Sequence, residues 1–463
     1  MELLSFCRLL LLVGVLCYLL PVQARKYGIL IVSWYFFLVN EKWSLLLVLA
    51  VIGISYVGGR WIEKRNSRGS FTILVLLIFS VLVLFKYVNA WLGLGMPIFL
   101  GLSYYTLMAV GYLTEVYRGK EKAEKNFIHY CLFLSFFPQV MAGPIGRSRS
   151  LLNQWEKPIF FHDLRFRTGF LMFLIGVFEK MVLADNLGIL TDYIYNLDNN
   201  CEGFVLLAGM IIYAFQIYFD FAGYSLIAIG GAKMMGIELM TNFDSPYSSL
   251  SIREFWRRWH ISLSSWFRDY LYIPLGGSRV SEWRIVLNTL LVFLASGIWH
   301  GTTLGFALWG LIHGVYLVMG RFTEPFREKV RKKLRLDGKI YRTFRRLVVF
   351  LLVAVAFVPF RLPEAAQLIP TIPRFFVFNP GVFTDGTFSE MGVSFVTWGI
   401  CILGGIFIFI LDTFQKKQNA FECMAKLKFG KRLLIYTVLM LLILTAGVYG
   451  MNYSASNFIY GQF

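Results

Sequence analysis

The amino-acid sequence predicts an all-α fold, a polytopic transmembrane helix bundle of about 11–13 membrane segments, including short or re-entrant ones, with interfacial helices. Three observations predict it. First, 57% of the 463 residues are Ala, Val, Ile, Leu, Met, Phe, Trp, Tyr or Cys and only 16% are charged, against roughly 45–50% and about 25% in a soluble globular chain. Second, the apolar residues gather in runs such as 71–85, 347–357 and 433–446, near the length of about 20 residues that crosses a hydrocarbon core. Third, the formal net charge of +18 comes from clusters lying between those runs, at 25–26, 60–68, 118–125, 147–167, 253–284, 321–346 and 416–432. Lys and Arg collected in short loops is the positive-inside pattern. Nucleic-acid binding would need a basic patch on a soluble face, so no nucleic-acid partner is expected.

Taken in order, 1–20 is apolar. Val22-Gln23-Ala24 resembles a cleavage site, but Glu2 precedes the run, no base occurs before Arg8, and Arg25-Lys26 follow it. That charge order suits a retained first helix with its N-terminus outside. Residues 27–59 hold two short runs parted by Asn40-Glu41-Lys42, a hairpin. Runs 71–87 and 91–114 form another, turning near Asn89. Runs 170–190 and 203–218 flank the acidic, Asn-rich loop 192–202, expected outside. Runs 347–360 and 393–411 flank a long polar loop with Asp385 and Glu390, also expected outside. The last run, 433–449, then leaves the C-terminus outside. The whole chain, 1–463, reads as a single integral membrane domain with its motif-bearing core at about 96–320.

Two regions break this pattern. Residues 129–143 are apolar, end in Phe137-Pro138-Gln139-Val140-Met141-Ala142-Gly143-Pro144, and are too short to cross twice; a re-entrant element is expected, with its irregular backbone buried in protein. Residues 220–284 mix aromatics, glycines, arginines and His260. Within them, 253–259 reads as an interfacial amphipathic helix whose Trp256 and Trp259 point to lipid or to the bundle.

The six cysteines, Cys7, Cys17, Cys131, Cys201, Cys401 and Cys423, form no C-x-x-C pair, so neither a metal site nor a disulfide framework is expected. P-loop, Gly-x-Ser-x-Gly and His-Glu-x-x-His motifs are absent from the sequence. Paired intramembrane acids, which a transporter of lipid or glycan would favour, are nearly lacking; Asp220 is the main exception.

Five histidines remain. His162 reads as a solvated loop residue and His129 as an interfacial one. His300 lies inside an apolar stretch between Gly297 and Gly301. An ionisable group there is costly and faces a cavity or a partner, while the glycines admit another backbone or a substrate. Two readings stand: a general base, since neutral imidazole serves that role near pH 7, or a structural histidine bonded to a neighbouring helix. His313 follows 13 residues later. On a continuous helix it would point about 220° away, which favours a structural role unless the helix breaks at Gly301. His260 either meets an anionic ligand beside Arg257 and Arg258 or is a headgroup-level polar residue.

The motif series decides between these readings. Gly101–Thr106, Phe136–Arg147, Ala184-Asp185-Asn186, Tyr218–Tyr224, Asn242-Phe243, Glu254–Leu263 running into Asp269–Gly277, Ser296–Gly301 and Trp309–Gly314 together resemble the membrane-bound O-acyltransferase (MBOAT) family. The similarity is greatest to the bacterial branch that includes the membrane subunit of alginate O-acetylation. The terminal Phe458–Phe463 also fits. The resemblance implies that His300 is the membrane-embedded catalytic histidine and His260 the second motif histidine, with Trp299, Arg257, Arg258, Asp220 and Asn242 among the substrate-binding residues.

It further implies no bound cofactor and a cytoplasmic thioester donor, acetyl-CoA (acyl-CoA) or an acyl carrier. The implied acceptor is a hydroxyl of an envelope polysaccharide, reached directly or through an extracytoplasmic acetyltransferase-like partner. The implied setting is a bacterial cytoplasmic (inner) membrane and its lipid. D-alanyl transfer to teichoic acid is the alternative within the family.

Overall fold

The computed structural model describes residues 3–97, 99–386, 391, 393–415 and 418–449. Glu390, Lys416 and the Phe458–Phe463 motif lie outside the described residues. Every regular element described is helical. Eight helical stretches are long and apolar enough to cross a membrane, and several shorter apolar helices pack among them, so the chain is a polytopic helical membrane protein.

The first third builds one side of the bundle. It comprises α1 (Leu3–Leu16), α2 (Arg25–Asn40), α3 (Lys42–Arg65), α4 (Arg68–Leu82), α5 (Asn89–Leu92), α6 (Leu102–Tyr117), α7 (Phe127–Ser135), α8 (Phe137–Ala142) and α9 (Ser148–Trp155). Glu41 alone, in extended backbone, separates α2 from α3. The turn expected near Asn89 comes later. A π-helical stretch, Val83–Val88, carries α4 into α5, and the return helix starts at Leu102 rather than Trp91. Gly93 and Gly95 at positive φ make the turn, and the Asn89 side chain closes it with bonds to both Met96 backbone groups. The apolar run 129–143 splits into α7 and α8 at the extended residue Phe136. The break is buried, and its freed Phe137 N–H is taken by Ser33 Oγ, as membrane-depth backbone requires.

The centre is α10 (Asp163–Val177), which continues through a π-helical stretch, Phe178–Ala184, into α11 (Asp185–Tyr195), and α12 (Gly203–Met234). Here the apolar run read as 203–218 proves longer: α12 stays helical to Met234. Glycine spacing explains it. Gly169 and Gly176 on α10 face Gly230 and Gly223 on α12, where a Cβ on Gly176 would come within 2.6 Å of the Gly223 carbonyl. Small residues one heptad apart let two backbones meet, the usual basis of helix association in lipid. The apolar α1 joins this centre through Leu10, which faces Gly231 of α12, while Phe6 packs on Phe36 and Phe137.

The last part holds α13 (Ile252–Arg258), α14 (Ile261–Phe267), α15 (Glu282–His300), α16 (Leu304–Lys333), α17 (Lys339–Arg361), α18 (Ala365–Arg374), α19 (Phe395–Gln415), α20 (Ala420–Ala425) and α21 (Phe429–Ala446). The short helix expected near 253–259 is α13, capped by Ser251 Oγ. Of the two expected directions the bundle wins: Trp259 is buried, and the half-buried Trp256 packs against Phe293 and Trp309.

The two loops read as lying outside do meet. Asn379 accepts from Phe204 N–H and donates to the Glu202 carbonyl, and Arg361 pairs with Asp192.

Candidate active site

His300 is the last residue of α15, and α16 begins four residues on. The chain therefore breaks after Gly301. The two helices cross closely because Gly297 faces the Phe306 backbone and Gly310, while the Phe306 ring fills the space beside Gly301. Both glycines thus serve a backbone or ring approach.

The break sets the imidazole into an aromatic box at 1% exposure. Its ring centroid is 4.9 Å from Trp299, 4.9 Å from Trp309 and 5.4 Å from Phe360. His313, one turn after Trp309, packs edge-on to that indole at 5.3 Å. Its Nδ1 accepts from Trp256 Nε1 at 3.3 Å, a packing role.

His260 approaches from a second direction. It precedes α14 in the left-handed region, φ +43°, a conformation that costs a side-chain-bearing residue free energy and persists only when its surroundings impose it. Asn242 imposes it. Its Oδ1 lies 3.1 Å from His260 Nδ1 and accepts from Ser262 N–H and Oγ–H; its backbone carbonyl accepts from Ile261 N–H; its Nδ2 donates to Ser225 Oγ. An acceptor at Nδ1 assigns the proton to that nitrogen and leaves Nε2 as the basic one. The ring stands edge-on to Phe221 at 4.6 Å and 6.4 Å from Trp299. Trp299 therefore packs near both histidines.

Lys86 and Tyr87, which sequence reasoning did not single out, complete the box. Lys86 Nζ donates to the Trp299 carbonyl at 2.5 Å and sits 5.6 Å from the Trp299 ring centre. Tyr87 Oη donates to the Ile298 carbonyl at 2.8 Å. The signal was present: Lys86 is a lone cation inside an apolar run, which marks function by default.

A model of the membrane-bound O-acyltransferase family matches residues 29–359. The chain belongs to that family. It is 35% identical to the probable alginate O-acetylase AlgI of Azotobacter vinelandii over 369 residues, 75% of this chain and 71% of that protein. It is 37% identical to the peptidoglycan O-acetyltransferase of Helicobacter pylori over 48% of this chain and 47% of that protein. It is 30% identical to the teichoic acid D-alanyltransferase of Bacillus subtilis over 62% and 77%. The protein is an O-acyltransferase.

The remaining expected residues of this O-acyltransferase divide by environment. Arg258 pairs with Glu254 and Asp244 at 3.0 and 2.9 Å, tying α13 to the loop that carries Asn242. Arg257 instead lines a cavity of about 400 Å³ among α13, α14, α15 and α16, together with Arg253, Arg268 and Arg321. That cavity reaches Ser296, one turn before His300. Asp220 lies in a buried triad: Lys180 Nζ is 2.6 Å from Asp220 and 2.5 Å from Asp185, joining the π-helical stretch to α12. Asn242, expected to touch substrate, orients His260.

Proposed function

We propose that this enzyme transfers an acyl group, acetyl, from a cytoplasmic thioester to a hydroxyl of an envelope polysaccharide outside a bacterial cytoplasmic membrane. His300 acts as general base. Its imidazole removes the proton from the acceptor hydroxyl as that oxygen attacks the thioester carbonyl carbon; the C–S bond then breaks, and the thiolate recovers the proton from the imidazolium. The observation that carries the reading is the placing of His300 at a helix break inside the aromatic box, with a cavity rising to within one turn of it.

The donor, acetyl-CoA or an acyl carrier, enters that cavity, and Arg257 with its neighbouring arginines holds its phosphates. His260, its tautomer fixed by Asn242, packs near Trp299. The acceptor is reached directly or through an extracytoplasmic acetyltransferase-like partner. Relatives named for alginate and peptidoglycan O-acetylation support a polysaccharide acceptor.

D-alanyl transfer to teichoic acid is the second reading, favoured by the Bacillus subtilis relative. Mass analysis of envelope polymers from cells with and without the protein separates them. Loss of acetyl esters supports the first reading; loss of D-alanyl esters with acetyl unchanged replaces it with the second.

A further inference from the structure

A second cavity, about 270 Å³, opens between α16 and α17 beside the start of α13. It meets the Arg257 cavity at Arg253 and Leu317, which line both. Its lining holds three arginines, Arg253, Arg327 and Arg345, and one acid, Glu324.

The polarity follows the helices. On α16 the lining runs from Arg327 back to Tyr316, about 16 Å along the axis, and on α17 from Arg345 to Leu352, about 10 Å. The two helices form a hairpin whose turn lies at their charged ends. Both walls therefore pass from the basic cluster at 321–346 to hydrocarbon in the same direction. Basic pockets of this kind between membrane helices suit the headgroup of an anionic lipid.

The charges are not balanced within the cavity. Arg253 pairs with Glu324 at 3.6 Å. Arg345 Nε donates to the Leu250 carbonyl at 3.0 Å and its Nη1 to Tyr341 Oη at 3.2 Å, and Arg327 Nη2 donates to the Gly320 carbonyl at 2.8 Å. These acceptors are neutral, and among the described residues neither Arg327 nor Arg345 has a carboxylate within ion-pair distance. The Arg327 Nε–H is buried and has no hydrogen-bond partner among the described residues. A buried guanidinium N–H without an acceptor costs free energy, and phosphate oxygens match the guanidinium fork.

We propose that this cavity holds the phosphate of one anionic glycerophospholipid on Arg327 and Arg345, with its chains along Leu317, Val348 and Leu352. Two arginines without a carboxylate favour a headgroup of net negative charge. An ethanolamine headgroup would bring its ammonium toward the same arginines, and free phosphate would leave the apolar walls uncovered. The site adjoins α13: the Leu250 carbonyl that Arg345 holds belongs to the residue before Ser251, the cap of that helix.

The test uses the full chain, purified in detergent, stripped of lipid and titrated with phosphatidylglycerol or phosphatidylethanolamine, with and without excess inorganic phosphate, and with bound lipid counted by native mass spectrometry. The expected result is one phosphatidylglycerol retained at about tenfold lower concentration than phosphatidylethanolamine, and not displaced by inorganic phosphate. Arg327→Gln and Arg345→Gln each weaken it by about fivefold. Lys332→Gln removes an exposed charge of the same basic cluster outside the cavity and leaves binding unchanged. Gly320→Leu fills the cavity from a position where a Cβ meets nothing within 4 Å; it blocks binding even if an arginine variant fails to fold. Equal retention of the two lipids, displacement by inorganic phosphate, a loss in Lys332→Gln as large as in Arg327→Gln, or unchanged phosphatidylglycerol binding in folded Arg327→Gln and Gly320→Leu overturns the proposal.

Discussion

Lys86 Nζ lies 2.5 Å from the carbonyl oxygen of Trp299, so a cation from the π-helical end of α4 caps the helix whose last residue is His300. The final carbonyls of a helix lack partners within it and carry its negative pole; Tyr87 takes the preceding one at Ile298. Replacing Lys86 with Met leaves the Trp299 carbonyl without this donor, which costs about 1–3 kcal/mol, and loosens the imidazole. The expected result is a fall in kcat of about tenfold, with Lys86→Arg recovering part of it, measured as acyl transfer in proteoliposomes alongside a thermal melt.

Asn242 fixes His260 through its side-chain oxygen. Asn242→Ala removes the acceptor at Nδ1 and the support for a left-handed backbone. Acyl transfer should fall by about tenfold or more, and Asn242→Asp, which keeps the oxygen, should retain more activity than Asn242→Ala. Equal rates for Asn242→Ala and the parent protein would remove Asn242 from the site.

Arg257 and Arg258 are adjacent and differ in role. Arg257→Gln should raise the KM for the thioester donor with kcat little changed, because this side chain lines the cavity. Arg258→Gln should lower the melting temperature through loss of its two ion pairs, about 1 kcal/mol at their partial exposure, with the donor KM unchanged. Steady-state kinetics and a melt on both variants read the contrast.

The α10–α12 crossing depends on four glycines. Gly176→Leu puts a side chain where a Cβ alone would already lie 2.6 Å from the Gly223 carbonyl. Overpacking of this kind costs about 1–3 kcal/mol or more. A lower melting temperature and reduced recovery of monodisperse protein are expected, whereas Gly320→Leu, with open space at its Cβ position, should behave as the parent.

How much of this was legible in the sequence differs by feature. Apolar runs and basic clusters gave the membrane class and most helix positions, because crossing a bilayer imposes a length and a charge order on the chain. The extent of α12 past Asp220 was not legible from composition; its glycines look like helix breakers until the facing glycines of α10 are seen. His300 was legible as a costly buried group, and the motif series pointed to its role. The His260–Asn242 pairing was not, since 18 residues and a left-handed turn separate the partners. Lys86 was legible as a cation inside an apolar run, but its target, a backbone carbonyl 213 residues away, was not.

The most direct measurement of the central claim is acyl transfer by purified His300→Ala in proteoliposomes, with a radiolabelled acetyl thioester as donor and the melting curve and elution volume of the parent as the check on folding. The account predicts a folded protein with transfer lower by at least about a hundredfold, the scale of a lost general base. A folded His300→Ala protein transferring at the parent rate would contradict it.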